Sequence, residues 1–338
     1  MRGRADPHAK WRFRPRPSGG TPPPAGPTPV TCRPFGATPP LSRPPEVTQI
    51  HEAAARGPAF DIVADMDRRA QDPAPTRAAA TVPPITAWWL GRTPYRAAWD
   101  LQHRLVAARA ADAIGDQLLL LEHEPVLTLG RHSDPSHVVA SPAELAARRI
   151  ELIRTERGGE VTYHGPGQLT AYPIVRLADR GLYIRSFVRA LEAALSETCA
   201  TFGVEAGPRE GYPGCWCADG SRKIGAVGVR VERGVTYHGI ALNVSVRLAD
   251  FDLIDACGMP GVESTSIARE RYEAAEPQTE SVSRAAAEFA RALARALGAP
   301  LAGALPPRAD PARAGRELEQ LLQAETAAAS TATPAGAR

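Results

Sequence analysis

Lysine is almost absent from this chain. Of its 40 basic residues only two, Lys10 and Lys223, are lysines, and all the others are arginines. An arginine keeps its proton in a protein, whereas a lysine ammonium, with a reference pKa of about 10.4, can be tuned by its surroundings to give up or take a proton. Lys223 is therefore a candidate functional residue. The alternative is that one lysine survives by chance in an arginine-rich composition.

Long apolar runs and export signals are also lacking. No segment reaches the roughly 20 apolar residues that cross a membrane, and the N-terminal arginines are not followed by the apolar run of a signal peptide. We therefore expect a soluble, cytoplasmic protein. Its five cysteines predict reduced thiols rather than a disulfide framework. Cys215 and Cys217 have no second pair at zinc-like spacing, so we expect no metal site.

A basic face on a folded domain is missing as well. Residues 1–84 hold 18 of the 33 prolines, which predicts a disordered extension. Residues 85–300 are predicted to form one domain, with 24 basic and 26 acidic residues, so that its formal charge is −2. Residues 301–338 are predicted to be a mostly disordered tail with one short helical pattern at 313–323. A nearly neutral domain argues against a nucleic-acid partner.

What the chain does contain is an irregular mixture of strand and helix patterns. Apolar residues at helical spacing predict helices, and short apolar runs predict strands. The order predicts an α/β (α+β) fold with a mixed sheet and flanking helices. The expected helices cover 94–113, 141–149, 183–202 and 282–297. The expected strands cover 116–123, 126–130, 150–155, 160–164, 168–176, 223–231, 235–238 and 240–246, with hairpin turns at 219–220 and 233–234.

The segment from Arg157 to Gln168 is the most informative motif. Its four glycines and one proline indicate special backbone angles and close approach of another group to the main chain. The spacing fits neither a phosphate-binding loop nor a dinucleotide-binding turn. A glycine-rich tight hairpin without a binding role is the alternative.

One string of five residues, Val-Thr-Tyr-His-Gly, occurs twice, at 161–165 and 235–239. Five residues do not establish a structural repeat. Each copy ends a predicted strand and enters a glycine turn, so both are candidates to line one cleft. For His164 and His238 a structural role and a contact with a ligand are equally open.

Cys257 lies in a turn of small residues between Asp255 and Gly261. A thiol beside a lysine ammonium can act as a nucleophile, because the ammonium lowers the thiol pKa and the amine can take the proton. A packing thiol in a turn is the alternative for Cys257 taken alone.

Residues 157–168, 219–231, 237–243 and 256–261 together closely resemble the lipoyl(octanoyl) transferases, also called lipoate-protein ligase B. The resemblance covers about 85–300. It implies transfer of an octanoyl group from octanoyl-acyl carrier protein to a lysine of lipoyl domains through a cysteine thioester, the first step of endogenous protein lipoylation. It also implies the fold of the biotin and lipoate ligase catalytic modules.

The resemblance assigns roles to individual residues. The family's working pair matches Cys257 as the acyl-thioester nucleophile and Lys223, which lowers the thiol pKa and transfers the proton. No cofactor is implied. The implied partners are octanoyl-acyl carrier protein, lipoyl domains of 2-oxoacid dehydrogenase complexes and the glycine cleavage H protein, without nucleic acid or membrane. The acyl-binding segments match Arg157, Gly158, Gly159, Glu160, Val161, Thr162, Tyr163, His164, Ala226, Val227, Gly228, Gly239, Ile240 and Ala241.

Two other classes of function remain open at this point. An ATP-dependent lipoate or biotin ligase would bind an acyl-adenylate with a lysine and glycine-rich loops and would use no covalent cysteine. A non-enzymatic scaffold would bind through the arginine-rich N-terminal tail. For docking of the acidic carrier protein, the candidates are the arginine pairs Arg148 with Arg149 and Arg180 with Arg185.

Overall fold

The computed structural model describes residues 82–217, 220–255, 262–272 and 281–331. Cys257, the predicted turn residue Asp219 and nearly all of the predicted N-terminal extension lie outside the described residues. Within those ranges, every helix is too short or too polar to cross a membrane.

A mixed nine-stranded sheet forms the centre of the described chain. Its strands are β1 (Ile85–Thr93), β2 (Asp116–His123), β6 (Gln168–Ile174), β7 (Ala206–Arg209), β8 (Tyr212–Cys217), β9 (Arg222–Glu232), β10 (Val235–Asn243), β11 (Glu263–Ser264) and β12 (Leu301–Ala302). They are arranged in the order β12-β1-β2-β6-β10-β9-β8-β7, and β11 also pairs with β9. The β1–β2, β1–β12 and β9–β11 pairs are parallel, and the other pairs are antiparallel.

The leucine run of β2 explains why this strand lies inside the sheet. Leu118 and Leu120 point into one hydrophobic cluster, and Leu119 and Leu121 point into another on the opposite face. Because successive strand residues face opposite sides, an unbroken apolar run suits a strand covered on both faces.

Helices cover both faces of the sheet. Helices α3 and α5 pack on each other and close the larger cluster; on the other face α1 covers β10, β6 and β2, and α6 covers β1. The helices are α1 (Tyr95–Ala110), α2 (Pro142–Ala147), α3 (Ile184–Thr201), α4 (Ile267–Tyr272), α5 (Val282–Ala296) and α6 (Pro311–Thr331). The mixed α/β architecture that the sequence predicts is confirmed.

A second, three-stranded sheet lies beside the first. Its order is β4-β3-β5, with β3 at Val126–Leu129, β4 at Glu151–Arg154 and β5 at Thr162–His164. A separate hydrophobic cluster that includes Leu127, Tyr163 and Leu253 packs against it. This small sheet carries the loop between β4 and β5, which contains the glycine-rich motif.

Two elements differ from the sequence prediction. The strands expected at 235–238 and 240–246 form one continuous strand, β10, in which Gly239 pairs directly with Gly228. The glycine does not end the strand because β6 and β9 hold β10 from both sides. The C-terminal segment also differs from a mostly disordered tail, since α6 is long and its Leu318 and Leu322 are buried against the domain.

Candidate active site

The Lys223 side chain lies beside a tryptophan and over a glycine of the neighbouring strand. Lys223 pairs with Trp216 in β8, and its Nζ is 5.1 Å from the centre of the Trp216 ring, within the range of a cation–π contact. A Cβ on Gly214 would be only 2.9 Å from Cε of Lys223. Gly214 also has φ 142°, which disfavours other residues. A glycine at 214 therefore makes room for the lysine.

The segment that contains Cys257 is flanked by described residues on both sides. The backbone N–H of Asp255 donates to the His137 carbonyl at 2.8 Å. After the segment, β11 pairs in parallel with the start of β9, so that Ser264 is the partner of Lys223. The chain therefore reaches Lys223 seven residues after Cys257, and an extended chain can span about 3.3–3.6 Å per residue.

Buried amides fix the chain on the far side of that segment. Asn243 donates to the Thr265 carbonyl at 2.9 Å, and the Thr265 N–H donates to the Lys223 carbonyl at 3.0 Å. Asn243 in turn accepts from Gln168 at 2.9 Å. Because Nε2 of Gln168 is the donor in that bond, its Oε1 accepts from Nδ1 of His164 at 2.7 Å. These residues form one buried network that ends at the Lys223 backbone.

His164 is a neutral structural residue of this network. Burial lowers its pKa well below the usual value of 6.5, and the nearby His123 and Arg157 lower it further. Its Nδ1 is satisfied by Gln168. The structure therefore favours the structural interpretation of His164 over a contact with a ligand.

Two of the three predicted acyl-binding segments face each other across adjacent strands of the main sheet. Residues 226–228 of β9 and 239–241 of β10 are in direct register. The pairs are Gly228 with Gly239, Val227 with Ile240 and Ala226 with Ala241.

Only some of these residues lie on the side of the sheet opposite the large core. Val227 and Ile240 pack in the core under α3 and α5. Because side chains alternate along a strand, Ala226 and Ala241 face the other side. A Cβ on Gly228 would be 3.0 Å from the Gly158 carbonyl oxygen, so this side is also the one covered by the glycine-rich loop. The arrangement leaves small residues under the loop.

Arg157 holds the glycine-rich loop in place. Its Nε and Nη2 donate to the Thr128 hydroxyl at 3.1 and 2.9 Å, and Nη2 also donates to the Thr128 carbonyl at 2.6 Å. A Cβ on Gly130, the residue that follows β3, would be 1.8 Å from the Gly159 carbonyl oxygen. The loop backbone therefore lies in close contact with the end of β3 on one side and with β9 on the other.

The remaining residues of this segment point elsewhere. Val161 and Tyr163 are each 2% exposed and belong to the cluster under the small sheet. Glu160 lies 3.3 Å from Nδ1 of His137. Thr162 is half-buried. The structure therefore does not bring the Val161 and Tyr163 side chains to Lys223.

A half-buried glutamate, Glu156, precedes the loop and lies near His238. Glu156 lies 3.6 Å from Nε2 of His238 and accepts from Nε1 of Trp99 at 3.0 Å. Burial alone would raise the pKa of Glu156, but the nearby His238 ring and the hydrogen bond from Trp99 lower it to about 2. Burial lowers the pKa of His238, and Glu156 opposes that effect.

The sequence analysis missed Gly214, Trp216 and Thr265 as neighbours of Lys223. The sequence analysis considered only the cysteines on either side of Trp216, and Cys215 and Cys217 are buried thiols of the core. The sequence did contain one indication of these neighbours: Trp216 follows Gly214 by two residues and lies opposite the rare Lys223 in the predicted hairpin.

The arginine candidates for carrier docking are partly wrong. The side chain of Arg180 is 1% exposed and lies 2.7 Å from Asp116, so it is not on the surface. Arg148 is exposed in part but forms ion pairs with Glu144 and Asp250. The sequence could not show that Asp250 pairs with Arg148 or that Asp116 pairs with Arg180, because these partners are distant in the chain.

Comparison with known families gives a match over most of the domain. The family model of the lipoyl protein ligase A/B catalytic domain matches residues 94–291. An octanoyltransferase from Chloroflexus aurantiacus is 48% identical over 191 residues, which is 56% of this chain and 86% of the relative. An octanoyltransferase from Acidobacterium capsulatum is 48% identical over 189 residues, covering 53% and 77% of the two chains.

Solved structures support the fold. A lipoate-protein ligase A bound with ATP has a TM-score of 0.52 at 14% identity and covers 71% of this chain and 94% of its own. A bi-partite lipoate protein ligase from Thermoplasma acidophilum has a TM-score of 0.51 at 15% identity, with 72% and 93% coverage. At such low identity these structures show a shared fold and no more.

Proposed function

The chain belongs to the lipoyl protein ligase A/B catalytic domain family, among its octanoyltransferases, and from this premise we propose that it works through a thioester on Cys257 with Lys223 as its partner. It is an acyltransferase that transfers octanoyl groups in protein lipoylation. The proposed donor is octanoyl-acyl carrier protein. The proposed acceptors are lysines of lipoyl domains in 2-oxoacid dehydrogenase complexes and of the glycine cleavage H protein.

In the first step the Cys257 sulfur attacks the carbonyl carbon of the octanoyl thioester. A new carbon–sulfur bond forms at Cys257, and the bond to the carrier's thiol breaks. The proton that leaves Cys257 passes by way of Lys223 to the departing thiolate, so that charge is balanced. A thioester is already activated, and the step therefore needs no ATP.

In the second step the amine of the acceptor lysine attacks the enzyme thioester. A carbon–nitrogen bond forms and the bond to Cys257 breaks. Neutral Lys223 takes the proton from the amine and returns it to the Cys257 sulfur. A group that alternates between donor and acceptor must titrate, which arginine does not do in a protein.

The glycine-rich loop and the facing strands are the proposed acyl site. Ala226 and Ala241 lie on the same side of the sheet as the loop, and a Cβ on Gly228 would be 3.0 Å from the Gly158 carbonyl oxygen. Small residues leave space for an acyl chain on this side of the sheet. Backbone N–H groups in the loop are candidates to bind the oxyanion of the tetrahedral intermediate, and one such donor contributes about 3 kcal/mol in other enzymes.

The observation that best supports the proposal is the pairing of β11 with β9. It places Ser264, seven residues after Cys257, beside Lys223. The amide network through Asn243 and Thr265 holds that chain at the Lys223 backbone. Lys223 is thus paired with the strand that follows the Cys257 segment in the chain.

The test is an acylation assay without nucleotide. We expect octanoyl-acyl carrier protein alone to raise the intact mass of the protein by one octanoyl group, which hydroxylamine removes. Cys257→Ala should not be acylated, and Lys223→Arg, which keeps the charge but cannot titrate, should lose most of its transfer rate. Cys32→Ala and Lys10→Arg are matched controls and should behave as the parent.

Two results would contradict the proposal. Acylation that requires ATP and free octanoate would assign the chain to the ligase reaction. Full turnover by Lys223→Arg would reduce the lysine to a fixed positive charge.

A further inference from the structure

Two side chains of α1 contact Glu156, the residue at the start of the glycine-rich loop. Oε1 of Glu156 accepts a hydrogen bond from Nε1 of Trp99 at 3.0 Å, and Nε2 of His103 lies 3.1 Å from the same oxygen. Trp99 and His103 are four residues apart in the helix, so their side chains are neighbours on one helix face. The carboxylate therefore joins the loop to α1 at two points.

The main sheet contributes a third group to this carboxylate. Nε2 of His238 in β10 lies 3.6 Å from Oε1 of Glu156. Because neighbouring residues of a regular strand face opposite sides, His238 would be expected to point away from Tyr237. With φ 54°, the His238 ring instead stacks on the Tyr237 ring at 4.8 Å, on the side of the sheet that α1 covers. An unfavourable backbone conformation is thus kept at the position that brings an imidazole to Glu156.

The charge of Glu156 strengthens these contacts. Although burial raises its pKa, the His238 ring and the Trp99 hydrogen bond lower it to about 2, so Glu156 is an anion at neutral pH. An ionised acceptor binds N–H donors more strongly than a neutral one.

The residues that follow Glu156 contact the other neighbours of the loop. The Arg157 carbonyl accepts from the backbone N–H of Arg131, just after β3, at 3.1 Å. A Cβ on Gly158 would be 3.2 Å from the Val229 carbonyl oxygen in β9. The two glycines at 158 and 159 have no side chains that could fix the loop, so its position depends on the residues before them.

We propose that Glu156 is a positioning residue for octanoyl transfer, which anchors the glycine-rich loop to α1 and so keeps the loop in place over the acyl chain. The role in transfer rests on the acyl site proposed above. The anchoring itself does not, and it can be measured without substrate.

Hydrogen exchange followed by NMR measures the anchoring. The Arg131 amide is the reporter because its partner is a loop carbonyl, and the Thr236 amide, which donates to the Val175 carbonyl in the main sheet at 2.9 Å, is the internal reference. In Glu156→Ala we expect the Arg131 amide to exchange about tenfold faster, while Thr236 keeps its rate. Unchanged exchange at Arg131 would overturn the proposal. Equal acceleration at both amides would also overturn it, because the variant would then be destabilised as a whole.

The matched control is Glu151→Ala. Glu151 of β4 also accepts from a side chain of α1, Nε of Arg96 at 2.7 Å, but both side chains are exposed and Glu151 lies before the loop. This variant should leave the Arg131 exchange and the acylation rate unchanged. Glu156→Gln keeps an oxygen that can accept from Trp99, so its effects should be smaller than those of Glu156→Ala. Equal effects of Glu151→Ala and Glu156→Ala would contradict a specific role of Glu156.

Trp99→Phe tests the helix side of the contact. It keeps an aromatic ring but removes the N–H donor, so it should accelerate the Arg131 exchange less than Glu156→Ala does. Added to Glu156→Ala, it should change little, since its partner is already absent. Additive effects would mean that Trp99 and Glu156 act independently.

Acylation kinetics test the role in transfer. In Glu156→Ala we expect kcat/KM with octanoyl-acyl carrier protein to fall about tenfold, because the loop is displaced from the reacting substrate. The fall with a hexanoyl carrier should be smaller, since a loop over the acyl chain removes fewer methylenes of a short chain from water.

The possible failures are distinguishable. An equal fall for both donors, or faster Arg131 exchange with unchanged kinetics, would refute the role of Glu156 in holding the loop over the acyl chain. Failure of the parent protein to form the thioester would refute the proposed function and leave the exchange result standing.

Discussion

The same five residues, Val-Thr-Tyr-His-Gly, fold in two different ways in this protein. Residues 161–165 contribute the short edge strand β5 of the small sheet, where Thr162 is only half-buried. Residues 235–239 lie in β10, in the middle of the main sheet, and all of them are buried. An identical string therefore acquires its environment from the strands around it.

The two histidines show the difference most clearly. His164 donates to Gln168 and belongs to the network that ends at Lys223. His238 has φ 54°, which is unusual for a residue other than glycine, and its backbone N–H donates to Oε1 of Gln102 at 2.7 Å. The comparison teaches that the two copies are not a structural repeat, although each lies next to a part of the proposed acyl site.

The largest expected difference concerns the two glycines. A Cβ on Gly239 would be 2.1 Å from the backbone carbonyl oxygen of Ala171, whereas a Cβ on Gly165 would be 2.2 Å from Oη of Tyr163, a side chain. Backbone in a central ladder can shift less than a side chain. We expect Gly239→Ala to lower the free energy of unfolding by about 3 kcal/mol or more and Gly165→Ala by about 1–2 kcal/mol.

Urea unfolding at neutral pH measures both values. Gly207→Ala is the control, because a Cβ there has open space, and it should change the free energy of unfolding little. Equal losses in the Gly239 and Gly165 variants would mean that the two copies are constrained alike, against the comparison.

The second difference concerns the two threonines. The Thr236 hydroxyl donates to the Pro173 carbonyl at 2.7 Å and accepts from the Val175 N–H at 3.0 Å. Thr236→Val leaves a buried donor and a buried acceptor without partners and should cost about 1–3 kcal/mol. Thr162→Val, at a half-buried site, should stay within about 0.5 kcal/mol of the parent.

Thr236→Ser serves as the control in the same urea experiment. It keeps the hydroxyl, so most of the lost stability should return. If Thr236→Val and Thr162→Val have the same effect, the hydrogen bonds of the central copy are not what distinguishes it.

The sequence predicts well the elements whose patterns are local. The leucine run of β2 and the helical spacing in α3 and α5 are visible in the string, and those elements are present with ends shifted by a few residues. The continuous strand β10 was missed because a glycine was taken as a break. That glycine is there for the close approach of the Ala171 backbone, which is distant in the chain.

The candidate site follows the same division. Lys223 could be found because of its rarity, and the small residues of the acyl segments because of a family resemblance. Trp216 could not, since its importance comes only from its contact with Lys223 across neighbouring strands. Which of two identical histidines is linked to the site also depends on long-range contacts.

The smallest expected difference is the pH dependence of stability that the two histidines contribute. Burial lowers the pKa of both below the unfolded value of about 6.5, and at His238 the nearby Glu156 opposes the effect. Between the folded and unfolded pKa the unfolded chain binds more protons, so stability is present above about pH 6.5 and is lost as pH falls below it. Among the described residues no carboxylate acts on His164 in this way, so His164 should contribute more of the loss.

We therefore expect the urea midpoint of the parent to fall between pH 7.5 and 5.5, and His164→Asn to reduce this fall more than His238→Asn. Some fall should remain in both variants, because burial also lowers the pKa of His123, to about 4. A larger flattening in His238→Asn would mean that Glu156 does not favour the protonated ring. The carboxylate would then act on His238 only as a packing partner, and the two copies would differ in geometry without differing in their response to protons.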